Sequence, residues 1–260
     1  MAKESNAGPH TVLNLYKRVS ETPLQTIERF VATHKEYKHT KMTYAGRLDP
    51  MAEGVLVVLS GEKNKEREVY TNLDKDYEFE FVLGIETDTH DLLGKISGGI
   101  SKRVTTQEVE LALQKYTGAF VQKYPAYSSK VVDGVPLFDI ARKGQISTVV
   151  MPEHEVTVNA LSLLSEKVMS REEFANALES KIKAVKGDFR QKDILVSWKT
   201  YLESKAPEKF ILYKARVSCG SGFYVRQLVS DVGRDLGTGA VTFSILRTRV
   251  GSYTLDQSVT

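Results

Sequence analysis

The stretch DYEFEFVL at residues 76–83 alternates between apolar and acidic side chains. Residues two apart lie on the same face of a β-strand, so this alternation predicts a strand with one buried face. The face expected to be buried carries Tyr77, Phe79, Phe81 and Leu83, and the other carries Glu78, Glu80 and Val82. No other segment of the chain shows the strand pattern as clearly.

Strands and helices follow one another irregularly on both sides of this stretch. Further strands are predicted at residues 12–16, 55–59, 213–218 and 243–250. Capping-box patterns, in which Ser or Thr precedes Glu or Gln by three residues, predict helix starts at Thr22, Thr105 and Ser170. Residues 224–236 carry the apolar stripe of an amphipathic helix. Because strands and helices do not alternate steadily, the α+β class is favoured over a doubly wound parallel fold.

The composition of the 260-residue chain is that of a globular protein, with 41% hydrophobic residues, 27% charged residues and a net charge of +3. The longest apolar run, residues 55–59, is far shorter than the roughly 20 residues that cross a bilayer. The first ten residues are small and polar, which predicts an irregular terminus without a secretory signal. A single cysteine, Cys219, excludes an internal disulfide. We therefore expect a cytoplasmic protein, with a mild basic excess that permits a nucleic-acid partner.

The strongest candidate for a catalytic residue is Asp49, in TYAGRLDPMAEGVL at residues 43–56. Two glycines and a proline surround the carboxylate, and a buried strand follows. Such an irregular loop held against rigid structure is a common location for catalytic groups. The alternative is that Asp49 caps a turn before Pro50, and spacing alone favours that alternative.

Four more blocks follow in the chain. They read LGIETDTHDLLG at residues 83–94, QKYPAYSSK at 122–130, CGSGFYVRQL at 219–228 and LRTRVG at 246–251. The block at residues 43–56 resembles the signature of the TruB family of RNA pseudouridine synthases, approximately GHTGxLDPxAxGVL. The later blocks are similar to that family's further motifs, in the same order. Ordered blocks over residues 12–250, with a gap at 164–209, identify the chain as a member where one block would not.

The resemblance implies a pseudouridine synthase fold, with a mixed, mainly antiparallel sheet, flanking helices and a central RNA-binding cleft. It also implies a reaction that breaks the N1–C1′ bond of uridine, turns the base and rejoins it through C5. Neither a metal nor an organic cofactor takes part in the family's reaction. The implied substrate is uridine 55 in the T loop of tRNA, a structured loop read largely by shape.

Three catalytic residues are implied by the resemblance. Asp49 matches the essential aspartate, which acts as an ionised carboxylate. Arg226 matches the cation assigned to pair with it, because a carboxylate in a closed pocket otherwise tends to become neutral. Tyr77 matches a tyrosine that stacks on the flipped base and can take part in proton transfer. From pattern alone, Arg226 would be a surface arginine and Tyr77 a core aromatic residue.

The target uridine must leave its stack before it can react, at a cost of a few kcal/mol. The resemblance implies four residues that bind it: Tyr44, Tyr77, Tyr224 and Leu246. Tyr44 stands where the family has a histidine, so the block departs from the family pattern there. Periodicity alone would make Tyr224 and Leu246 core residues. Further contacts with RNA are expected from four basic residues: Arg47, Lys130, Arg142 and Arg247.

We expect a single catalytic domain over residues 1–260 that acts as a monomer. Within it, residues 122–152 are expected to form an RNA-gripping insertion. Residues 164–209 form an extended insertion, in which lysines interleaved with aromatics suit either an RNA contact or a solvated surface. Nine residues follow Gly251, so no C-terminal PUA domain is expected. That expectation favours stand-alone action over guide-RNA-dependent modification.

Three rival interpretations can be weighed. Asp88, His90 and Asp91 could bind a divalent metal, but no further cluster supports this, and a turn satisfied by its own side chains is favoured. Cys219 could be a nucleophile, although a small buried thiol is the simpler interpretation. A non-catalytic RNA-binding or RNA-folding factor would be expected to lose Asp49, Tyr77 or Arg226, and all three are present.

Overall fold

The computed structural model describes residues 9–260, so most of the terminus predicted to be irregular lies outside the described residues. The strands are β1 (Val12–Lys17), β2 (Met42–Ala45), β3 (Ala52–Ser60), β4 (Lys75–Leu83), β5 (Glu86–Thr87), β6 (Ile96–Gly98), β7 (Gly118–Lys123), β8 (Val131–Val132), β9 (Val135–Pro136), β10 (Glu153–Ser170), β11 (Lys209–Cys219), β12 (Ala240–Val250) and β13 (Tyr253–Thr254). The α-helices are α1 (Pro23–Thr33), α2 (Arg67–Thr71), α3 (Thr106–Gln114), α4 (Leu137–Arg142), α5 (Arg171–Ala184), α6 (Gln191–Ser204) and α7 (Val225–Asp235).

The chain divides into two compact units. Unit 1 consists of Met1–Tyr77 and Leu246–Thr260, and unit 2 consists of Glu78–Ile245. Strands β4 and β12 each supply residues to both units. The expectation of a single catalytic domain stays a prediction, as does the central RNA-binding cleft.

Unit 1 is built on β3, whose residues 55–59 are fully buried, as predicted. Strand β1 runs antiparallel to β3, with Val12 opposite Leu59 and Lys17 opposite Gly54. Strand β2 also pairs antiparallel with β3. Helix α1 begins at the predicted capping box and packs its apolar face on the sheet. The cluster beneath it contains Leu15, Ile27, Phe30, Tyr37, Leu56 and Val58.

Unit 2 is built on a sheet in which β11 lies between β4 and β10, and β7 borders β10. Strand β10 pairs antiparallel with both β7 and β11. Phe81 stacks between Phe79 and Tyr213, with ring centroids 6.0 and 5.5 Å away, and the predicted apolar face of β4 is confirmed from Tyr77 to Phe81. Leu83, predicted on the same face, is only half-buried. Val82, expected on the polar face, is also buried, so both faces of β4 are covered near its end.

Helices cover this sheet and include two of the three predicted starts. Capping boxes open α3 at Thr105 and α5 at Ser170, and the apolar stripe of α7 is buried. Helices α5 and α6 contact each other. We call them the α5–α6 helix pair, which lies within the predicted 164–209 insertion. Phe174 of this pair contacts the rings of Trp198, Phe210 and Phe243.

These elements confirm an α+β fold with a mainly antiparallel sheet and flanking helices. Antiparallel pairs can be joined by short turns, whereas parallel pairs need longer crossovers. The irregular order of elements noted in the sequence is therefore compatible with this topology. Within residues 9–260, no helix is both long and apolar enough to span a bilayer.

Candidate active site

Asp49 lies in the turn between β2 and β3 of unit 1. Its carbonyl accepts a hydrogen bond from the amide of Ala52 at 3.0 Å. Leu48 and Met51, on either side, are each only 4% exposed, whereas Asp49 itself is half-buried. The apolar neighbours therefore hold the backbone of the turn in place and leave the carboxylate near the surface.

Two buried cations hold the two ends of this loop. The Lys17 ammonium donates hydrogen bonds to the carbonyls of Ala52 and Arg18. The Arg247 guanidinium donates from Nε to the Val55 carbonyl at 2.7 Å and from Nη2 to the Gly46 carbonyl at 3.2 Å. Arg247 thus binds loop carbonyls on both sides of Asp49, and Lys17 binds one on the C-terminal side.

This placement changes the assignment of Arg247. We expected it to contact RNA, but its side chain is 1% exposed and its nitrogens bind backbone carbonyls of the loop. An RNA contact needs an accessible guanidinium, so the buried Arg247 does not fit the expected RNA contact. Its place indicates a structural role in holding the Asp49 loop.

The close approach of β12 explains one glycine of the block. Gly54 has φ +107°, and a Cβ atom there would lie 2.2 Å from the Arg247 carbonyl oxygen. Only glycine combines that conformation with such close contact. The glycine therefore lets the backbone of Arg247 pack directly on β3.

Lys17 also marks the electrostatics of this loop. Burial lowers the pKa of its ammonium from 10.5 to about 7, and the negative charges of Asp49 and Glu21 oppose that shift. An ammonium removed from water loses its solvation, which disfavours the charged form. Asp49 therefore lies within electrostatic reach of a lysine that titrates near neutral pH.

The other predicted residues of unit 1 lie on its strands or in its loops. Tyr44, on β2, packs partly against the cluster beneath α1. Its hydroxyl accepts a hydrogen bond from exposed Arg47 at 3.4 Å. Tyr77 is buried on β4, and Leu246 is half-buried on β12. The roles predicted for these side chains stay predictions.

Arg226 lies in unit 2, on the first turn of α7, and is 3% exposed. Its Nη1 donates to the Thr89 carbonyl at 2.5 Å, and its Nε lies 3.7 Å from a carboxylate oxygen of Asp91. The Asp91 carboxylate also accepts hydrogen bonds from the Thr89 hydroxyl and the Leu93 amide. Arg226 is therefore a buried, charge-balanced cation, and not the surface arginine that pattern alone suggested.

Tyr224 lies two residues before Arg226 and is held through its backbone. The side-chain amide of Gln122 accepts from the Tyr224 amide at 2.9 Å and donates to the Tyr224 carbonyl at 3.1 Å. Gln122 is 1% exposed and belongs to β7. This double hydrogen bond joins the edge strand to the residue that precedes α7.

An aromatic cluster surrounds the Tyr224 ring. The rings of Tyr124 and His154 stack at 4.1 Å, and both meet Tyr224 edge-on. The exposed ammonium of Lys130 lies 5.0 Å from the centre of the Tyr124 ring. Aromatic faces flanked by cations can bind nucleobases and backbone phosphates. The cluster thus brings two predicted residues, Tyr224 and Lys130, together.

Arg142, also predicted to contact RNA, lies at the end of α4. Its guanidinium donates to the Asp188 carbonyl at 3.0 Å and lies 5.9 and 5.8 Å from the rings of Phe138 and Phe189. The side chain remains exposed. It therefore links the predicted RNA-gripping segment to the residues that join α5 and α6.

The rival metal site separates into other interactions. Asp88 pairs with Arg190 at 2.6 Å, and Asp91 lies beside Arg226. His90 is half-buried, and the loss of solvation around its ring together with the positive charge of Arg226 lowers its pKa from 6.5 to about 4. In the part of the chain that the structure describes, no three His, Cys, Asp or Glu side chains could hold a metal. Cys219 is buried, as favoured.

The sequence interpretation missed Lys17 and Gln122, and it considered Asp91 only as a metal ligand. Gln122 and Asp91 lie within the quoted blocks, whereas Lys17 does not, and each of the three has a partner far along the chain. Gln122, for example, binds the backbone of a residue 102 positions away. Membership of a block was the available signal for Gln122 and Asp91, whereas the contact itself requires the tertiary structure.

Residues 34–189 match the N-terminal domain of TruB family pseudouridylate synthase. The tRNA pseudouridine synthase B of Aromatoleum aromaticum is 32% identical over 242 residues, which are 93% of this chain and 62% of that protein. The enzyme of the same name from Lactiplantibacillus plantarum is 30% identical over 96% of this chain and 69% of its own length. The chain spans less than two thirds of the length of most of the curated relatives that it matches.

Solved structures show the same fold. A Cbf5-Nop10-Gar1 complex contains a chain with TM-score 0.57 and 17% identity, covering 94% of this chain and 49% of that chain. An H/ACA RNP bound to a substrate RNA matches with TM-score 0.53 and 16% identity, over 94% of this chain and 48% of that one. The family match covers more than half of the chain and agrees with the ordered blocks. The chain therefore belongs to the TruB family of pseudouridylate synthases.

Proposed function

We propose that this protein converts uridine to pseudouridine in tRNA, at uridine 55 of the T loop. Family membership and the activity named for its relatives support this proposal. The observation that carries it is the Asp49 loop. An aspartate in the family's block lies on a turn whose two ends are bound by the buried cations Lys17 and Arg247.

The proposed reaction is an isomerisation in which the N1–C1′ bond breaks and a C5–C1′ bond forms. N1 gains a proton and C5 loses one, so neither an oxidant nor a reductant is needed. Asp49 supplies the nucleophilic carboxylate, which divides one difficult step into easier ones. Tyr77 and Arg226 are the other proposed catalytic residues. A rigid loop favours this chemistry because a displacement of about 1 Å can cost up to about 100-fold in rate.

The proposed RNA surface uses side chains that the structure leaves accessible. Arg47, Lys130 and Arg142 are exposed, and Tyr224 and Lys130 belong to one aromatic cluster. Tyr44 and Leu246 complete the proposed base-binding set. We further propose that the protein acts in the cytoplasm as a monomer that binds the T arm. Light scattering of the free protein and of its complex with a T-arm stem-loop tests the last two points.

Tritium release tests the proposed reaction directly. The protein is incubated with tRNA labelled as 5-[³H]uridine, because the C5 hydrogen leaves only when C5 becomes the glycosidic carbon. We expect release by the wild type and none by Asp49→Asn, which keeps the shape of the side chain but lacks the nucleophilic carboxylate. A T-arm substrate labelled only at uridine 55 then tests the position.

The matched control is Asp256→Asn, the same substitution at an exposed aspartate of unit 1. We expect it to release tritium like the wild type. If the wild type and Asp49→Asn both bind tRNA and neither releases tritium, the proposal is wrong. The protein is then better described as a non-catalytic RNA-binding factor.

A further inference from the structure

The α5–α6 helix pair contacts one loop of unit 2, residues 88–95, here called the 88–95 loop. Trp198, on α6, donates a shared hydrogen bond from Nε1 to the carbonyls of Leu92 and Gly94, at 3.2 and 3.0 Å. Its side chain is fully buried. The Ser197 hydroxyl, next to it, accepts from the Ile96 amide at 3.0 Å. Helix α6 thus binds the backbone at the end of this loop.

The start of the 88–95 loop is bound by an ion pair. Arg190, directly before α6, places Nη1 and Nη2 2.6 and 3.3 Å from the two carboxylate oxygens of Asp88. The Asp88 carboxylate also accepts from the Lys95 amide at 2.9 Å. A paired guanidinium and carboxylate specify orientation as well as distance. The Arg190–Asp88 ion pair therefore joins both ends of the 88–95 loop to the residue directly before α6.

Arg190 is itself held in a sparsely populated conformation. Its φ is +62°, although residues other than glycine rarely adopt positive φ. Its guanidinium lies 4.5 Å from the centre of the Tyr127 ring. Strained residues of this kind persist where the surrounding structure holds them, and they are concentrated at functional sites.

The bound loop in turn holds Arg226. The Thr89 carbonyl and the Asp91 carboxylate, both in the 88–95 loop, are the partners described above. A shift of the loop would move both partners of the guanidinium together. A continuous chain of contacts therefore runs from Arg190 and Trp198, through the loop, to Arg226.

The charge of the insertion does not indicate a nucleic-acid surface. Residues 164–209 contain ten Lys and Arg against eight Asp and Glu. Two of the lysines pair with glutamates on their own helices, Lys183 with Glu179 and Lys199 with Glu203. Phosphate binding uses the positive charge of Lys and Arg side chains, and here neighbouring glutamates balance part of that charge. The contacts with the 88–95 loop are the better-supported role.

We propose that the α5–α6 helix pair is a brace for the 88–95 loop, and that Arg190 is a positioning residue which holds Arg226 through that loop. This inference rests on the proposed catalytic role of Arg226. It gives the 164–209 insertion a part in the chemistry without any contact with the RNA.

The test uses Arg190→Gln in the full chain. We expect its single-turnover rate of tritium release to fall about tenfold or more, because small misplacements of a reacting group can cost up to about 100-fold. The dissociation constant for tRNA should stay within about twofold of the wild-type value, since Arg190 makes no proposed RNA contact. Arg190→Lys keeps the charge beside Asp88 and should recover part of the rate.

Arg171→Gln is the matched control. Arg171 opens α5 and pairs with Glu208 at 2.6 Å. Its guanidinium also donates to the carbonyls of Ala206 and Pro207, outside the 88–95 loop. The Arg171→Gln substitution removes a similar ion pair from the same helix pair. We expect its rate and its affinity for tRNA to match those of the wild type.

Hydrogen exchange measures the brace independently of activity. The amides of Leu93, Lys95 and Ile96 donate to Asp91, Asp88 and Ser197. Arg190→Gln and Trp198→Phe, which removes the indole donor, should both speed their exchange, whereas Arg171→Gln should not. Unchanged exchange in both variants overturns the brace.

The two proposals fail in different ways. If the wild type releases no tritium, the proposed function is wrong, and faster exchange in Arg190→Gln still supports the brace. If the wild type is active and Arg190→Gln matches Arg171→Gln in rate, the positioning role is wrong.

Discussion

Lys17 is buried inside unit 1, where its ammonium donates hydrogen bonds to two backbone carbonyls. Its pKa is lowered from 10.5 to about 7, chiefly by burial. Between these two values the unfolded chain binds a proton that the folded chain does not. The free energy of unfolding should therefore rise with pH over this range, because stability increases where the unfolded state holds more protons.

Replacing Lys17 by Met tests that linkage. We expect urea unfolding to show wild-type stability rising from pH 7 to pH 10 relative to Lys17→Met, which has no titrating group at this position. Lys38→Met, at an exposed lysine of unit 1, should run parallel to the wild type. Parallel curves for Lys17→Met would contradict the lowered pKa.

His90 affects the free energy of unfolding on the acid side of neutral pH, whereas Lys17 affects it on the alkaline side. Its pKa is lowered from 6.5 to about 4 by burial and by Arg226. As pH falls through this range, His90 becomes protonated in the unfolded chain but stays neutral in the folded chain, so the free energy of unfolding falls. His90 has φ +64°, a conformation that asparagine tolerates. We expect His90→Asn to lose less stability than the wild type between pH 6.5 and 4, measured by chemical unfolding.

The control for that measurement is His39→Asn, at an exposed histidine. It should follow the wild-type pH dependence across the same interval. If the free energy of unfolding of His90→Asn falls as steeply as that of the wild type between pH 6.5 and 4, the pKa of His90 is not lowered in the folded protein.

At the scale of elements, helix α5 depends on its first turn. The Ser170 hydroxyl accepts from the Glu173 amide at 3.2 Å, and the Glu173 carboxylate accepts from the Ser170 amide at 2.7 Å. We expect Ser170→Ala to lower the free energy of unfolding by about 1 kcal/mol, the usual loss for an N-cap. Ser180→Ala, at an exposed position later in the same helix, should cost nothing. Equal stability of the two variants would contradict the cap's contribution.

Gln122 joins two elements, the edge strand β7 and helix α7. Gln122→Ala would remove the two hydrogen bonds between its side chain and the Tyr224 backbone, and a hydrogen bond of this kind contributes about 0.5–1.5 kcal/mol. We expect a clear loss of stability in thermal unfolding, together with a slower single-turnover rate. Gln107→Ala, at an exposed residue of α3, serves as the control. A stable variant with the wild-type rate would remove Gln122 from the site.

At the scale of the whole molecule, the net charge of +3 is a mild basic excess, so we expect the affinity for RNA to depend measurably on individual cations. Lys130→Gln should weaken tRNA binding and reduce the slope of log K against log salt by about 1, the expectation for one lost phosphate contact. Lys192→Gln, at an exposed lysine of the α5–α6 helix pair, should change neither. A reduced slope for Lys192→Gln would show that this helix pair contacts the RNA.

Much of the fold could be predicted because its signals are local. The alternation at residues 76–83, the buried run at 55–59 and the capping box at Thr22 each depend on neighbours within a few positions. Strand and helix periodicities act over that range. The ordered blocks likewise singled out Asp49 and Arg226 before any coordinates. Local patterning and motif order were sufficient for the class of fold and for the family.

The contacts that hold the site were decided only by the tertiary structure. Arg247 carries a positive charge that would suit contact with RNA, yet its guanidinium binds the carbonyl of a residue 192 positions away. Trp198 donates to the Gly94 carbonyl across 104 positions. A side chain's partner depends on which elements the folded sheet brings together, and no local pattern encodes that. The sequence alone thus determined the elements, the family and the candidate aspartate, whereas long-range packing decided which cations are buried and which loop the insertion holds.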